Sequence, residues 1–287
     1  QGCTQNLGAR GRRYPVLTKT KKGNNRVKAE LTTITPEWAK KILNEKNTGN
    51  RAMSRLHVDT LAKEISKGRW KVNGDTICLN GNRLIDGQHR LAAVVQSGVA
   101  IQSFVIEGLP SDVFDTKDIG KRRSPGDTLG VRGEQNACRL AACLVMIDKY
   151  MTGRVDKAAA YSNTEIEELL EKYPEARNSL QVSQAKKGLL TPSVLDSCHY
   201  LFSRKNLQLA DDFVQKVTHG TGLQEGEPWY VLRERLVRNS LSKAKIQKPY
   251  LMALCIKAWN FARAGKTVRC LRWREEGNAT ESFPVIQ

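Results

Sequence analysis

Apolar residues recur along the chain at two different periods, and the change of period divides it. "AELTTIT" (29–35) reads as a short strand. Thr35 then stands as an N-cap before Pro36, Glu37 and Trp38, so a helix is expected from Pro36 to about Asn47, where "NTGNR" breaks it. Ser54 or His57 opens a second helix, in which Val58, Leu61, Ala62 and Ile65 repeat at helical spacing until Gly68. Ile77 and Leu79 lead into Asn80-Gly81, a two-residue hairpin signal, and Leu84-Ile85 return. Gly87 to Ser97 reads as a helix ended by Gly98, "IQSFVIEGL" as a strand, and "SDVFDTKDIGKRRSPGDTL" as a short helix and a turn. After Gly133 the strand signal fades. An apolar helix across "EQNACRLAACLVMIDKYMTG" is followed by helices at about 162–173, 192–204, 207–219, 228–240 and 247–265. The pattern predicts an α+β chain: a small mixed α/β domain at 30–130, then an all-helical domain at 131–287. Residues 1–29 show little periodicity and read as a flexible basic arm.

Composition narrows the function classes. Apolar residues make up 40% of the 287, enough for a core. No run approaches the ~18 apolar residues of a membrane span, and no charged-then-apolar leader opens the chain. A soluble, cytoplasmic protein is expected. Seven cysteines stand singly, with no Cys-x-x-Cys pair, so they read as buried thiols and not as a disulfide framework or zinc site.

The net charge of +18 is unevenly placed. Residues 1–30 hold eight Lys/Arg and one Glu; residues 229–274 hold twelve Lys/Arg and one Glu; the rest sums to zero. Two basic regions flanking a neutral middle point to a polyanion, DNA foremost. Candidate nucleic-acid contacts are Arg10, Arg12, Arg13, Lys19, Lys21 and Lys22 in the arm, and Arg233, Arg235, Arg238, Lys243 and Lys245 in the second cluster. That cluster lies among Trp229, Tyr230, Tyr250, Trp259, Phe261 and Trp273, where some aromatics must be core. The same region could instead be a homodimer surface, or simply a solvated one.

The chemistry concentrates at Asp86-Gly87-Gln88-His89-Arg90, where the hairpin passes into a helix. A helix start exposes amides and the positive end of the dipole, an anion site in principle. Gly87 would let a bound group come close, and His89 and Arg90 can donate to phosphate. Asp86 could hold Mg²⁺, act as a base, or merely cap the helix.

The run from Asp86 to Ala93 resembles the signature of the ParB/sulfiredoxin superfamily, whose members carry Gly-x-x-Arg at a helix start after a strand. The similarity covers about residues 31–129, including "NRAMSRLHVDTLAKEISKGRW" and "DTKDIGKRR". It is greatest to ParB-like proteins of bacteriophages and mobile elements and to Asp-Gly-Gln-His-Arg proteins found near DNA-modification genes. The resemblance implies a nucleotide on the helix start, ATP or another NTP with Mg²⁺, in a bacterial or phage-infected host. Gly87, Gln88, His89 and Arg90 would cradle the phosphates, helped by Asn50, Arg51, Arg55 and Arg122. Asp86, His89 and Asp118 are the catalytic candidates, with Asp86 and Asp118 as metal ligands. Gln88 departs from the Cys of sulfiredoxins (Gly-Cys-His-Arg) and from the Glu of ParB proteins (Gly-Glu-Arg-Arg), so neither activity transfers directly. The implied function is a ParB-like NTPase or kinase in phage or mobile-element DNA modification or processing. The alternatives are a non-catalytic DNA-binding protein and a ParB-like nuclease.

Overall fold

The computed structural model describes residues 27–110, 113, 124–183, 188–241, 246–274 and 281–287. They fall into two compact units, drawn from residues 1–52 with 70–117 and from 53–69 with 118–287. Among the described residues there are eleven helices and one four-stranded mixed sheet, an α+β content.

In the first unit, β1 (Lys28–Ile34), β2 (Thr76–Asn80), β3 (Arg83–Asp86) and β4 (Ile101–Glu107) lie in the order β1-β4-β2-β3. The β1–β4 and β2–β3 pairs are antiparallel, and β2–β4 is parallel. Helix α1 (Pro36–Lys46) starts where the Thr35 hydroxyl accepts from the Trp38 amide at 3.2 Å, and it packs on α3 (Gln88–Ser97). On β4, Ile101, Ser103 and Val105 are buried while Gln102 and Phe104 are exposed, the alternation of a strand with one covered face. On β2 and β3 consecutive residues are buried: Ile77, Cys78 and Leu79, then Leu84 and Ile85. Strands covered on both sides lose the alternation. The hairpin turn is displaced by one residue from the expected Asn80-Gly81. Asn80 pairs with Arg83, so Gly81 and Asn82 are the central residues.

The second unit is helical. Helix α2 (Arg55–Ser66) belongs to it although its sequence lies within 30–130. Its Lys63 pairs with Glu165, and the Ser162 hydroxyl donates to Glu64 at 3.0 Å. The other members are α4 (Pro125–Val131), α5 (Ala137–Met151), α6 (Asn163–Lys172), α7 (Ala176–Ser183), α8 (Pro192–Ser203), α9 (Leu207–His219), α10 (Pro228–Leu241) and α11 (Lys248–Arg263). Two of these, α4 and α7, were not expected. The short α4 hides its periodicity behind a proline and two glycines, yet Ser124 and Asp127 make a reciprocal capping box at its start.

The helical core is apolar and aromatic. Trp259 stacks on Phe202 at 4.2 Å between ring centroids, and Phe213 meets Phe202 edge-on at 5.2 Å. Several buried polar groups there are paired with one another. Arg139 grips the fully buried Asp196 through two 2.6 Å bonds, and the Ser183 hydroxyl donates to the same carboxylate. The buried His199 bonds Ser179 at 2.8 Å and Asp211 at 2.9 Å. Ser179 is itself buried, so this Ser-His-Asp series joins α7, α8 and α9 and offers no accessible nucleophile. Among the described residues, no helix is long and apolar enough to cross a membrane.

Candidate functional site

The Asp86–Arg90 turn is built where β3 ends. Gly87 adopts φ 105° and caps α3 without a side-chain bond to the first turn. A Cβ at Gly87 would meet Ile77 Cγ1 at 3.1 Å and Ile77 Cα at 3.3 Å. The close approach that demands glycine here is therefore to strand β2.

Arg90 lies one helical turn beyond Asp86. Its Nη2 donates to Asp86 Oδ2 at 3.1 Å and to the Thr76 carbonyl, and its Nη1 lies 3.6 Å from Asp75 Oδ2. The Asp86 Oδ1 accepts from the Gly87 amide at 2.6 Å. The side chain of Arg90 is only 14% exposed. The two carboxylates and the carbonyl hold the guanidinium between the start of β2 and the end of β3. The expected phosphate clamp thus has another employment: it ties two strands and a helix together. Ser103 completes the corner, its buried hydroxyl donating to the Asp75 carbonyl at 3.1 Å.

The neighbouring candidates are also engaged. Gln88 is buried and its Nε2 donates to the Arg51 carbonyl at 3.1 Å. Asn50 Nδ2 donates to Asn47 Oδ1 at 2.6 Å and to the Leu84 carbonyl at 2.8 Å, which pins the 47–52 loop to β3. Arg83 assists, donating to the Gly49 carbonyl at 3.0 Å. Arg51 is exposed and His89 half-buried. Arg55 is the first residue of α2 and belongs to the helical unit. Asp118 and Arg122 lie outside the described residues, so the proposed metal pair is represented here by Asp86 alone. Asp86 faces Arg90 and the Gly87 amide, a setting that suits a structural carboxylate better than a metal ligand.

In the basic region the arginines divide by role. Arg233 Nη1 donates to the carbonyls of Val217 at 2.6 Å and Thr218 at 3.2 Å, satisfying the end of α9. Arg235 is half-buried, with Nη2 3.4 Å from the Tyr250 hydroxyl. Arg238 has a side chain 74% exposed, with Glu234 4.0 Å away. Lys248, Arg263, Lys266, Arg269 and Arg274 are also exposed. The arm residues Arg10, Arg12, Arg13, Lys19, Lys21 and Lys22, and Lys243 and Lys245, lie outside the described residues. The interleaved aromatics are mostly core: Trp229, Trp259 and Trp273 are buried. Only Tyr230 among the α10 aromatics reaches a cleft, where it is joined by Arg235, Arg238 and Arg269. The spacing of Tyr230, Glu234 and Arg238 on one face of α10 was the available sequence signal for that grouping.

Compared with protein-family models, with curated proteins and with solved structures, the chain matches none of them.

Proposed function

We propose that the chain is a nucleic-acid-binding protein with a ParB/sulfiredoxin-like small unit, in which the Asp-Gly-Gln-His-Arg turn is a structural corner. The basic face of the helical unit takes the polyanion. The commitment of Arg90 carries this reading. A guanidinium held by Asp86, Asp75 and the Thr76 carbonyl must leave those partners before it can clamp phosphate. Arg238 and Arg269 face no such cost, being exposed. The superfamily resemblance supports DNA as the polyanion, in a phage or mobile-element setting. Fluorescence anisotropy with labelled duplex and single-stranded oligonucleotides tests this. Salt-sensitive binding that His89→Ala leaves unchanged is expected. Indifference to every DNA and RNA probe at low salt contradicts it.

One observation favours a second reading, a Mg²⁺-dependent nucleotide-binding enzyme. Helix α3 starts at a glycine that gives its first turn no side-chain cap. Such a start can turn amides toward a phosphate, with His89 beside it. Arg90, Gln88 and Asn50 are engaged within the fold, so this reading leaves His89 and the first amides of α3 as the groups that would meet a phosphate. Isothermal titration of ATP, CTP, GTP and ADP with Mg²⁺ decides between the readings. Heat that His89→Ala abolishes, at unchanged melting temperature, supports the enzyme; flat titrations with all four remove it.

A further inference from the structure

A cleft of about 440 Å³ lies between α10 and the segment around Val268–Leu271. That volume falls in the range of small-ligand sites. Helix α10 lends it Tyr230, Glu234 and Arg238 at successive turns, with Arg235 on the adjacent row; Arg269 and Glu225 line it from outside the helix. The Val268 amide donates to the Gly226 carbonyl at 3.0 Å, tying the segment to the residues just before α10.

The lining of the cleft mixes charges in a way that selects a ligand class. Three guanidiniums attract phosphate and hold it bidentately. Glu225 and Glu234 disfavour a bare inorganic anion there but accept from hydroxyl groups. The Tyr230 ring offers a flat face for a planar base.

We propose that this cleft binds one nucleotide unit, with its phosphate on Arg238 and Arg269, its sugar hydroxyls toward the glutamates and its base against Tyr230. The unit is either a free mononucleotide or an unstacked residue of a single strand. The inference rests on the nucleic-acid reading of the helical unit and gives it a specific site.

The test uses the full chain. Isothermal titration with nucleoside monophosphates is run beside anisotropy with a labelled single strand, for wild type, Arg238→Ala, Arg269→Ala and the control Lys248→Ala, which lies outside the cleft. Thermal melts confirm that each variant is folded. Each cleft substitution is expected to weaken binding by about tenfold or more, and the control to leave it intact. Loss of mononucleotide binding in the cleft variants assigns the free nucleotide as ligand; loss confined to the single strand assigns the strand residue. If duplex DNA binds but no mononucleotide does, and the single strand ignores both cleft substitutions, the inference is overturned while the nucleic-acid reading stands. If mononucleotides bind through these arginines and no nucleic acid does, the cleft stands and the nucleic-acid reading falls.

Discussion

Arg90 and Arg238 have the same local sequence setting and opposite fates. Each lies on a helix or at its start, four residues after an acid: Asp86 in one case, Glu234 in the other. In the sheet unit the pair closes to 3.1 Å and the arginine is 14% exposed. In the helical unit the pair stays at 4.0 Å and the arginine is 74% exposed. The difference comes from residues remote in sequence. Strand β2 brings Asp75 and the Thr76 carbonyl against Arg90, whereas Arg238 stays on an open helix face. A local ion pair in water is worth little, and a partly buried one with several acceptors is worth far more. A cation's role is therefore set by what the fold packs around it.

Substitutions can break that comparison. The largest effect is expected from Arg90→Ala, which strips Asp86, Asp75 and Thr76 of a shared donor. It should destabilise the sheet unit by about 2–3 kcal/mol, seen in urea melts and in faster hydrogen exchange across 76–97. Unchanged stability would mean that Arg90 is held for a ligand after all. Arg233→Ala comes next. Losing its two bonds to the end of α9 should cost about 1–2 kcal/mol, with nucleic-acid affinity retained at equal folded fraction. A drop in affinity without a drop in stability would move Arg233 to the binding face.

A smaller effect concerns pH. Burial raises the Glu165 carboxyl, but its bonds to Lys63 and the Ser162 amide outweigh that and hold it below the usual value. A lowered folded-state value contributes stability above the ordinary carboxylate range, lost as pH falls through the lowered value. Glu165→Gln should therefore lower stability at neutral pH and flatten the acid side of a melting-temperature profile. An unaltered acid side would show that other carboxylates govern it.

The secondary structure was largely legible because its signals are local. Thr35, Ser54, Gly98 and Gly220 cap or stop helices where the pattern placed their ends. The candidate site was legible only as a location. The four-residue spacing of Asp86 and Arg90 is that of a helical ion pair, but Thr76 and Asp75 reach Arg90 from the start of strand β2, which no local window contains. The aromatics of the basic region misled for the same reason. Trp229, Trp259 and Trp273 look interleaved with cations in sequence, yet they are buried while Arg238, Arg263 and Arg269 are exposed. Helix periodicity alone does not separate a stacking platform from a packing face.

The most direct test is the salt dependence of duplex binding, compared between wild type and an Arg238→Ala/Arg269→Ala double variant. Each phosphate neutralised contributes about 0.9 to the log–log slope, so the variant's slope should fall by about 0.9 if the two arginines share one phosphate, as in the cleft, and by about 1.8 if they take two, with its melting temperature unchanged. An identical slope in the two proteins would contradict the assignment of these exposed arginines to the polyanion.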